Sequence, residues 1–587
     1  MQAHFRTLPE LLTYVRKNFD SPNALNEKKQ SSWSSISTED FYAQVQKVSL
    51  GLKHLGIQKG DPVGIFLDPS PTWMCIDLAI AHLGAVSVPC FANVSKHNFE
   101  YQVQDSKMKA LFVDTLEQRE MANLVANSLE HVIQISGTCT MPKDIAFSSF
   151  FHLEKGASLE EQEEWLETAH GIQPEDPLTY IYTSGSTGVP KGVVLSHGNL
   201  CSQVHGAAQR FVLDNAKDKA LSCLPLAHIF ERMVTLFYLS EGVPVYFAED
   251  VKQVGEDLRD IKPTAITLVP RLLEKVYAKM QLNVAEATGF KKFLGSVALE
   301  RAISLSPLRR KNLLDTLLEK LVYSKMQQAL GGKLRLAISG SAPLAPELCN
   351  FFLNIGIPIY EGYGCTETSP VIAANYPGYR KVGTVGLTFP EVQVRIAEDG
   401  ELLVKGPNVM LEYLHKSTET SEVMSNGWYH TGDLGSVDAE GYVTITGRKK
   451  ELFKTANGKY VAPTPIEAAW VRESSLVDMA MIIADNRPFV SVLLFPDFEG
   501  LHSHKEKMGC GHMNNEEFFE SRQCVESLQS TLEKTNMPLN KWEQVCKFTV
   551  IPNPITIDSG ELTPTMKVRR HIVEEKYQTQ IETMYAS

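Results

Sequence analysis

KGDPVGIFLDPSPTWMCIDLAIAHLGAVSVP, residues 59–89, decides the fold. Its first apolar run, VGIFL, follows the turn residues Lys59-Gly60-Asp61 and has the length of a buried strand. Ser70-Pro71 then supplies a helix cap and a first-turn proline, and AVSVP, ending at Pro89, reads as a second strand. Strand, helix and strand in this order build a parallel sheet with helices on its faces. The stretch also opens the most apolar window of the chain, Trp73 to Val94. Asp77 and His82 interrupt that window, and a Gly and a Pro fall where a helix would give way to a strand, so it reads as a buried helix plus a strand and not as a membrane span.

The same pattern continues on both sides. Upstream, Ser37 with Asp40 resembles a capping box, and Phe41, Val45, Val48, Leu52 and Leu55 keep one helical face. Downstream, LFV near 112, TYIYT near 181, VPVYF near 245, AITLV near 267 and LRLAIS near 336 are candidate buried strands between helical stretches. We therefore expect an α/β fold whose large N-terminal region consists of doubly wound, mostly parallel sheets covered on both faces. From about residue 380 to 449 short strands with glycine turns (VQVRI, ELLVKG, YVTITG) predict a small β-rich module. Fresh α/β material after GRKKELFK predicts a hinge near 450, with a smaller, mobile α+β domain over 450–587. No repeat of solenoid or propeller period is present.

Bulk composition narrows the function. With 587 residues, 43% hydrophobic and 21% charged, the chain is long enough for several cored domains. Fifty-seven Lys and Arg against 69 Asp and Glu leave a net charge of -12, which argues against nucleic acid as a partner. Ten cysteines stand singly, and MQAHFRTLPELL has no signal-peptide pattern, so a cytoplasmic location is expected.

Chemistry first appears at 182–192, YTSGSTGVPKG, between two strand-like segments. Thr183, Ser184, Gly185, Ser186, Thr187, Gly188 and Lys191 offer hydroxyl and backbone donors, close backbone approach and a compact positive charge, the requirements of a polyphosphate. The spacing is not that of a Walker loop, and a strand rather than a helix follows. By composition alone the segment reads equally well as a Gly/Ser hairpin turn.

This loop resembles the signature of the adenylate-forming superfamily, and further segments match that family in order over nearly the whole chain. The resemblance implies ATP, Mg²⁺ and a carboxylic acid as reactants. In GYGCTET, 362–368, it implies Tyr363 against adenine, Gly364 and Thr366 in the nucleotide site, and Glu367 with Thr183 as metal ligands. Hard oxygen donors suit Mg²⁺. It implies Gly340, Ser341 and Ala342 of SGSAPL beside adenine and acyl group, and Asp433 of TGD with Arg448 on the ribose. His228 of LPLAHIFER would line the reacting carboxylate, either as a catalyst or as a core histidine. Lys567 of GELTPTMKVRR would be the catalytic lysine, and Gly458 of KTANGKYVAP would let the pantetheine arm of CoA approach. Cys365 reads as a packing residue.

The insertion from RLLEKVYAKM to SPLRRKNLLDTLLEKLVYSKMQQALGG, about 272–332, resembles the long-chain fatty acyl-CoA synthetase branch. It implies a long-chain fatty acid as substrate and CoA as acceptor, with loading of a carrier protein, or non-catalytic binding, as the competing readings. Retention of Lys191, Glu367, Asp433 and Lys567 together argues against a mere binder. Within the insertion Leu313, Leu314, Leu317, Leu318, Leu321 and Val322 form an apolar stripe, expected to pack on the domain core, with peripheral contact to a membrane as the alternative. Homodimerisation stays open. His502, His504, Cys510 and His512 match no zinc spacing and read as a surface loop.

Overall fold

The computed structural model describes residues 5–29, 32–137, 144–150, 159–183, 189–250, 253–449, 452–456, 459–557, 559–563 and 566–586. The chain divides into two compact units: one formed by 1–395, 403–430 and 437–444, the other by 396–402, 431–436 and 445–587.

In the first unit the deciding stretch forms strand Pro62–Phe66, helix Pro71–His82 and strand Val86–Pro89. The Ser70 hydroxyl accepts from the Trp73 N–H at 3.1 Å, and Pro71 occupies the first turn, where its missing N–H costs nothing. Pro62–Phe66 pairs in parallel with Val86–Pro89 on one side and Ala110–Val113 on the other. The sheet continues in parallel to His131–Gln134 and Asp144–Ala146, and on the opposite side to Pro177–Thr183. Beyond that strand the direction reverses, because Pro177–Thr183 and Lys191–Ser196 form an antiparallel hairpin, and Glu412–Tyr413 adds the edge.

A second sheet in the same unit runs parallel through Leu25–Lys29, Val245–Phe247, Ala220–Ser222, Ala265–Leu268, Leu336–Ser339 and Ile359–Gly364, then turns antiparallel at Val371–Ala374 and Gly386–Thr388. The central strands Ala220–Ser222, Val245–Phe247, Ala265–Leu268 and Leu336–Ser339 are buried at every position, as strands covered on both faces are.

The charge that interrupts the apolar window now has its reason. Asp77, fully buried, accepts two hydrogen bonds from Arg232 of LPLAHIFER at 2.6 and 2.8 Å, and Arg232 also donates to Ser87 at 3.1 Å. Burial pushes the Asp77 carboxyl up and the guanidinium pulls it back. Removing either partner would leave a bare charge in the core.

The second unit carries a three-stranded sheet. Val477–Ile483 is antiparallel to Val490–Pro496, which is parallel to Val545–Val550. In Val490–Pro496, Val492 and Leu494 face Trp470 and Leu528, while Leu493 and Phe495 face Val573, Tyr577 and Ile581. With helices on both faces every position of that strand is buried, and all but Ser491 are apolar, an α+β arrangement.

Two expectations are corrected. Residues 501–507 are a helix, Leu501–Lys507, and Cys510 beyond it is buried in the core, so the His- and Cys-bearing segment is not a surface loop. The insertion is helical, through Pro270–Glu286, Gly289–Ser304, Leu313–Leu318, one π turn at Glu319–Tyr323, and Ser324–Ala329. Its leucine stripe, however, does not pack on the core: Leu318 is buried, but Leu313, Leu314, Leu317 and Leu321 are exposed.

Candidate active site

The residues singled out in the sequence fall in both units, and each group is described by itself. In the first unit most of them lie at the carboxyl ends of parallel strands or on the loops that follow, where open α/β sheets bind ligands, and Lys191 opens the antiparallel strand Lys191–Ser196. Thr183 and Lys191 face each other across the hairpin that brackets the Ser-Gly-rich loop. Ser184, Gly185, Ser186, Thr187 and Gly188 lie outside the described residues, as do Lys450 and Gly458.

Lys191 is joined to Glu367 by a residue that the sequence did not single out. Pairing of Tyr413 with Val193 sets the Tyr413 ring 4.9 Å from Lys191 Nζ. The Tyr413 hydroxyl donates to Glu367 Oε1 at 2.9 Å. Burial and the Glu367 charge both push the phenol pKa up, so Tyr413 stays a donor. The Glu367 carbonyl accepts from Met410 N–H at 2.8 Å, and strand Lys191–Ser196 packs on the turn Thr366–Thr368. A cation, a phenol and a carboxylate are thereby assembled beside the hairpin.

The turn holding Glu367 is closely built. A Cβ on Gly364 would lie 1.8 Å from Pro370 O, so the backbone can close there only with glycine. Cys365 N–H and the Thr368 hydroxyl both donate to that same oxygen, at 3.1 and 2.7 Å. Asn408 donates to the carbonyls of Thr368 and Val371. Cys365 has its Sγ against the Thr368 and Tyr429 hydroxyls, a packing role.

Gly340 follows strand Leu336–Ser339, donates its N–H to Leu268 O at 3.3 Å, and has the Phe230 ring where a Cβ would be 3.1 Å away. Ser341 has φ 69°, the left-handed region that non-glycine residues occupy mainly at functional turns, and Ala342 follows. His228 caps helix Ile229–Ser240: its Nδ1 accepts from Phe230 N–H at 3.2 Å, which puts the proton of the neutral ring on Nε2. His228, Phe230, Gly340 and the strand Ile359–Gly364 that carries Tyr363 thus share one neighbourhood. Just before Tyr363, Glu361 is buried, its Oε1 without a hydrogen bond among the described residues, and burial raises its pKa to about 8.

In the second unit Asp433 is buried and accepts from Arg448 Nε at 2.8 Å, so the two residues assigned to the ribose do meet. Asp433 N–H donates to the Thr431 hydroxyl, which donates to Leu402 O, and Gly432 N–H donates to Glu401. Lys567 sits on an exposed turn closed by two bonds with Thr563, Lys567 N–H to Oγ1 at 3.0 Å and Thr563 N–H to Lys567 O at 2.8 Å.

The first unit thus brings a lysine, a phenol and a carboxylate together beside the hairpin, and the second pairs a buried carboxylate with an arginine. The chain belongs to the AMP-binding enzyme family: the model of that family matches residues 16–414, and the model of the AMP-binding enzyme C-terminal domain matches 451–587. It is 36% identical over 570 residues to the long-chain-fatty-acid--CoA ligase FadD15 of Mycobacterium bovis, covering 94% of this chain and 92% of that one. It is 31% identical to long-chain-fatty-acid--CoA ligase 5 of Mus musculus, over 95% of this chain and 85% of that one. Among solved structures, the fold is similar to an anthranilate CoA ligase, AuaEII, in complex with anthranoyl-AMP, at TM-score 0.72 and 18% identity over 98% of both chains. It is likewise similar to the A domain of a carboxylic acid reductase from Segniliparus rugosus in complex with AMP, at TM-score 0.74 and 20% identity over 99% of this chain and 94% of that one.

Proposed function

We infer that this chain is an ATP-dependent ligase that adenylates a long-chain fatty acid and transfers the acyl group to CoA, releasing AMP and pyrophosphate. The observation that carries the reading is the Lys191–Tyr413–Glu367 assembly beside the hairpin, since a phosphate loop used only for binding has no need of a carboxylate tied to it by a phenol. The near full-length relatives supply the acid and the acceptor.

A carboxylate oxygen of the acid attacks the α-phosphorus of ATP, the bond to pyrophosphate breaks, and an acyl-AMP forms. The thiol of CoA then attacks the acyl carbonyl, AMP leaves, and the thiol proton passes to solvent. No enzyme nucleophile takes part. Lys191 holds the phosphates, Tyr363 the adenine, and Asp433 with Arg448 the ribose. Glu367 and Thr183 would hold Mg²⁺, which when bound would supply charge neutralisation at the phosphates. Lys567 offsets the charge that grows on the α-phosphate in the transition state. His228 lines the acid, its Nδ1 engaged in capping. We further propose a division into 1–449 and 450–587, with rotation about Lys450 exchanging Lys567 for the segment around Gly458 between the two steps.

The test is AMP formation from MgATP and hexadecanoate with and without CoA. Many turnovers only with CoA support the reading. A single equivalent of acyl-AMP, indifferent to CoA, would assign a carrier protein as acceptor instead.

A further inference from the structure

The exposed leucines of the insertion are concentrated where the charge of the chain changes sign. Among the described residues 20 large hydrophobic side chains stand exposed, and seven of them lie between Phe290 and Leu321. Chance would place about one there. Leu313 is 92% exposed, and with Leu314, Leu317 and Leu321 it falls within roughly 100° of helix circumference at 3.6 residues per turn. The adjoining arc, with Leu318, Tyr323 and Met326, is buried. Residues 289–321 carry seven Lys and Arg against three Asp and Glu, a net of +4 in a chain of -12. Asp315 already engages Arg301 and Arg309, while Lys291, Lys292, Arg310 and Lys320 are exposed.

The face is firmly mounted. The Tyr323 hydroxyl donates to Ala298 O at 3.0 Å, and Asn354 Nδ2 donates to Ala302 O and Leu305 O at 2.9 and 2.8 Å. Asn354 ends the helix Pro346–Asn354, which follows Gly340–Ala342, so the apolar surface and the acyl-side loop share one supporting element.

We propose that this insertion face docks on an anionic lipid surface, with the leucines entering the headgroup boundary and the Lys and Arg residues meeting lipid phosphates. An apolar arc beside a cationic one is the pattern of interfacial helices. A second copy is a poorer occupant, because a two-fold contact would set the basic surplus against itself. Among the described residues no helix is long and apolar enough to cross a membrane, so the contact is peripheral. The proposal rests on the ligase reading only for its use, delivery of an acid that partitions into lipid.

The experiment is sedimentation of the full chain with vesicles of phosphatidylcholine alone or mixed with phosphatidylglycerol. Binding should favour the anionic vesicles and weaken with salt. L313S/L317S should weaken it about tenfold or more, and R310Q/K320Q about fivefold per charge removed, with melting temperature and MgATP binding unchanged. Equal or absent binding to both vesicles, or wild-type binding by L313S/L317S, overturns the proposal. So does a wild-type dimer that L313S/L317S converts to monomer, which would give the face to a second copy. Vesicle binding is read without turnover, so its failure and failure of the ligase reading are separate results.

Discussion

Glu367 and Lys567 are both assigned to the charge of one triphosphate, yet the chain treats them in opposite ways. Glu367 is fixed at both ends, its side chain by Tyr413 and its carbonyl by Met410, in a turn that closes only on glycine. Lys567 is exposed on a turn that two bonds with Thr563 hold at its base. A group that must hold an ion in one geometry throughout is preorganised, whereas a group needed in one step of two is presented on a turn.

The largest break in this contrast is Lys567→Ala, which should lower the adenylation rate about 10³-fold while MgATP affinity stays within a few-fold. Single-turnover kinetics beside equilibrium ATP binding read the two separately, and parallel loss of both would make Lys567 an ordinary binding residue.

The fixed side carries a cost in charge. Burial raises the Glu361 pKa to about 8, so the folded state keeps a proton that the unfolded chain releases near its ordinary carboxylate value. A group of this kind contributes stability that is full below about pH 4.5 and lost as pH rises through about 8. Glu361→Gln should therefore flatten the fall in stability between acid and alkaline pH by roughly 2–4 kcal/mol, measured by denaturant unfolding across that range. Glu231, raised by burial to about 7, gives a smaller total fall of the same sign.

Tyr413→Phe removes only the hydroxyl that orients Glu367. We expect about tenfold weaker Mg²⁺ dependence of AMP formation with fatty-acid KM little changed. An unchanged Mg²⁺ titration would show that the phenol does not prepare the carboxylate. The smallest effect belongs to Thr563→Ala, which loosens the turn under Lys567 and should slow adenylation about threefold without altering the Mg²⁺ titration.

Legibility divides along a related line. The parallel strands and the buried helix Pro71–His82 were readable because apolar runs and caps are local signals. Asp433 and Arg448, which hydrogen-bond, came from resemblance, since a TGD turn and a lone arginine say little alone. Tyr413 was missed because its role depends on sheet pairing with Val193 and a bond to Glu367, contacts far apart in sequence and without a local pattern. Asp77 was read only as an interruption of an apolar window, and its partner Arg232 lies on another helix. The leucine stripe was read correctly as a face but assigned to the core, because periodicity shows that residues share a side and not which side is covered.

The most direct measurement is exchange of labelled pyrophosphate into ATP by the purified chain, with hexadecanoate and Mg²⁺ and without CoA. The account predicts exchange that requires the fatty acid and is lost in Lys567→Ala. Absence of exchange with every fatty acid tested, or exchange that persists without any acid, would contradict it.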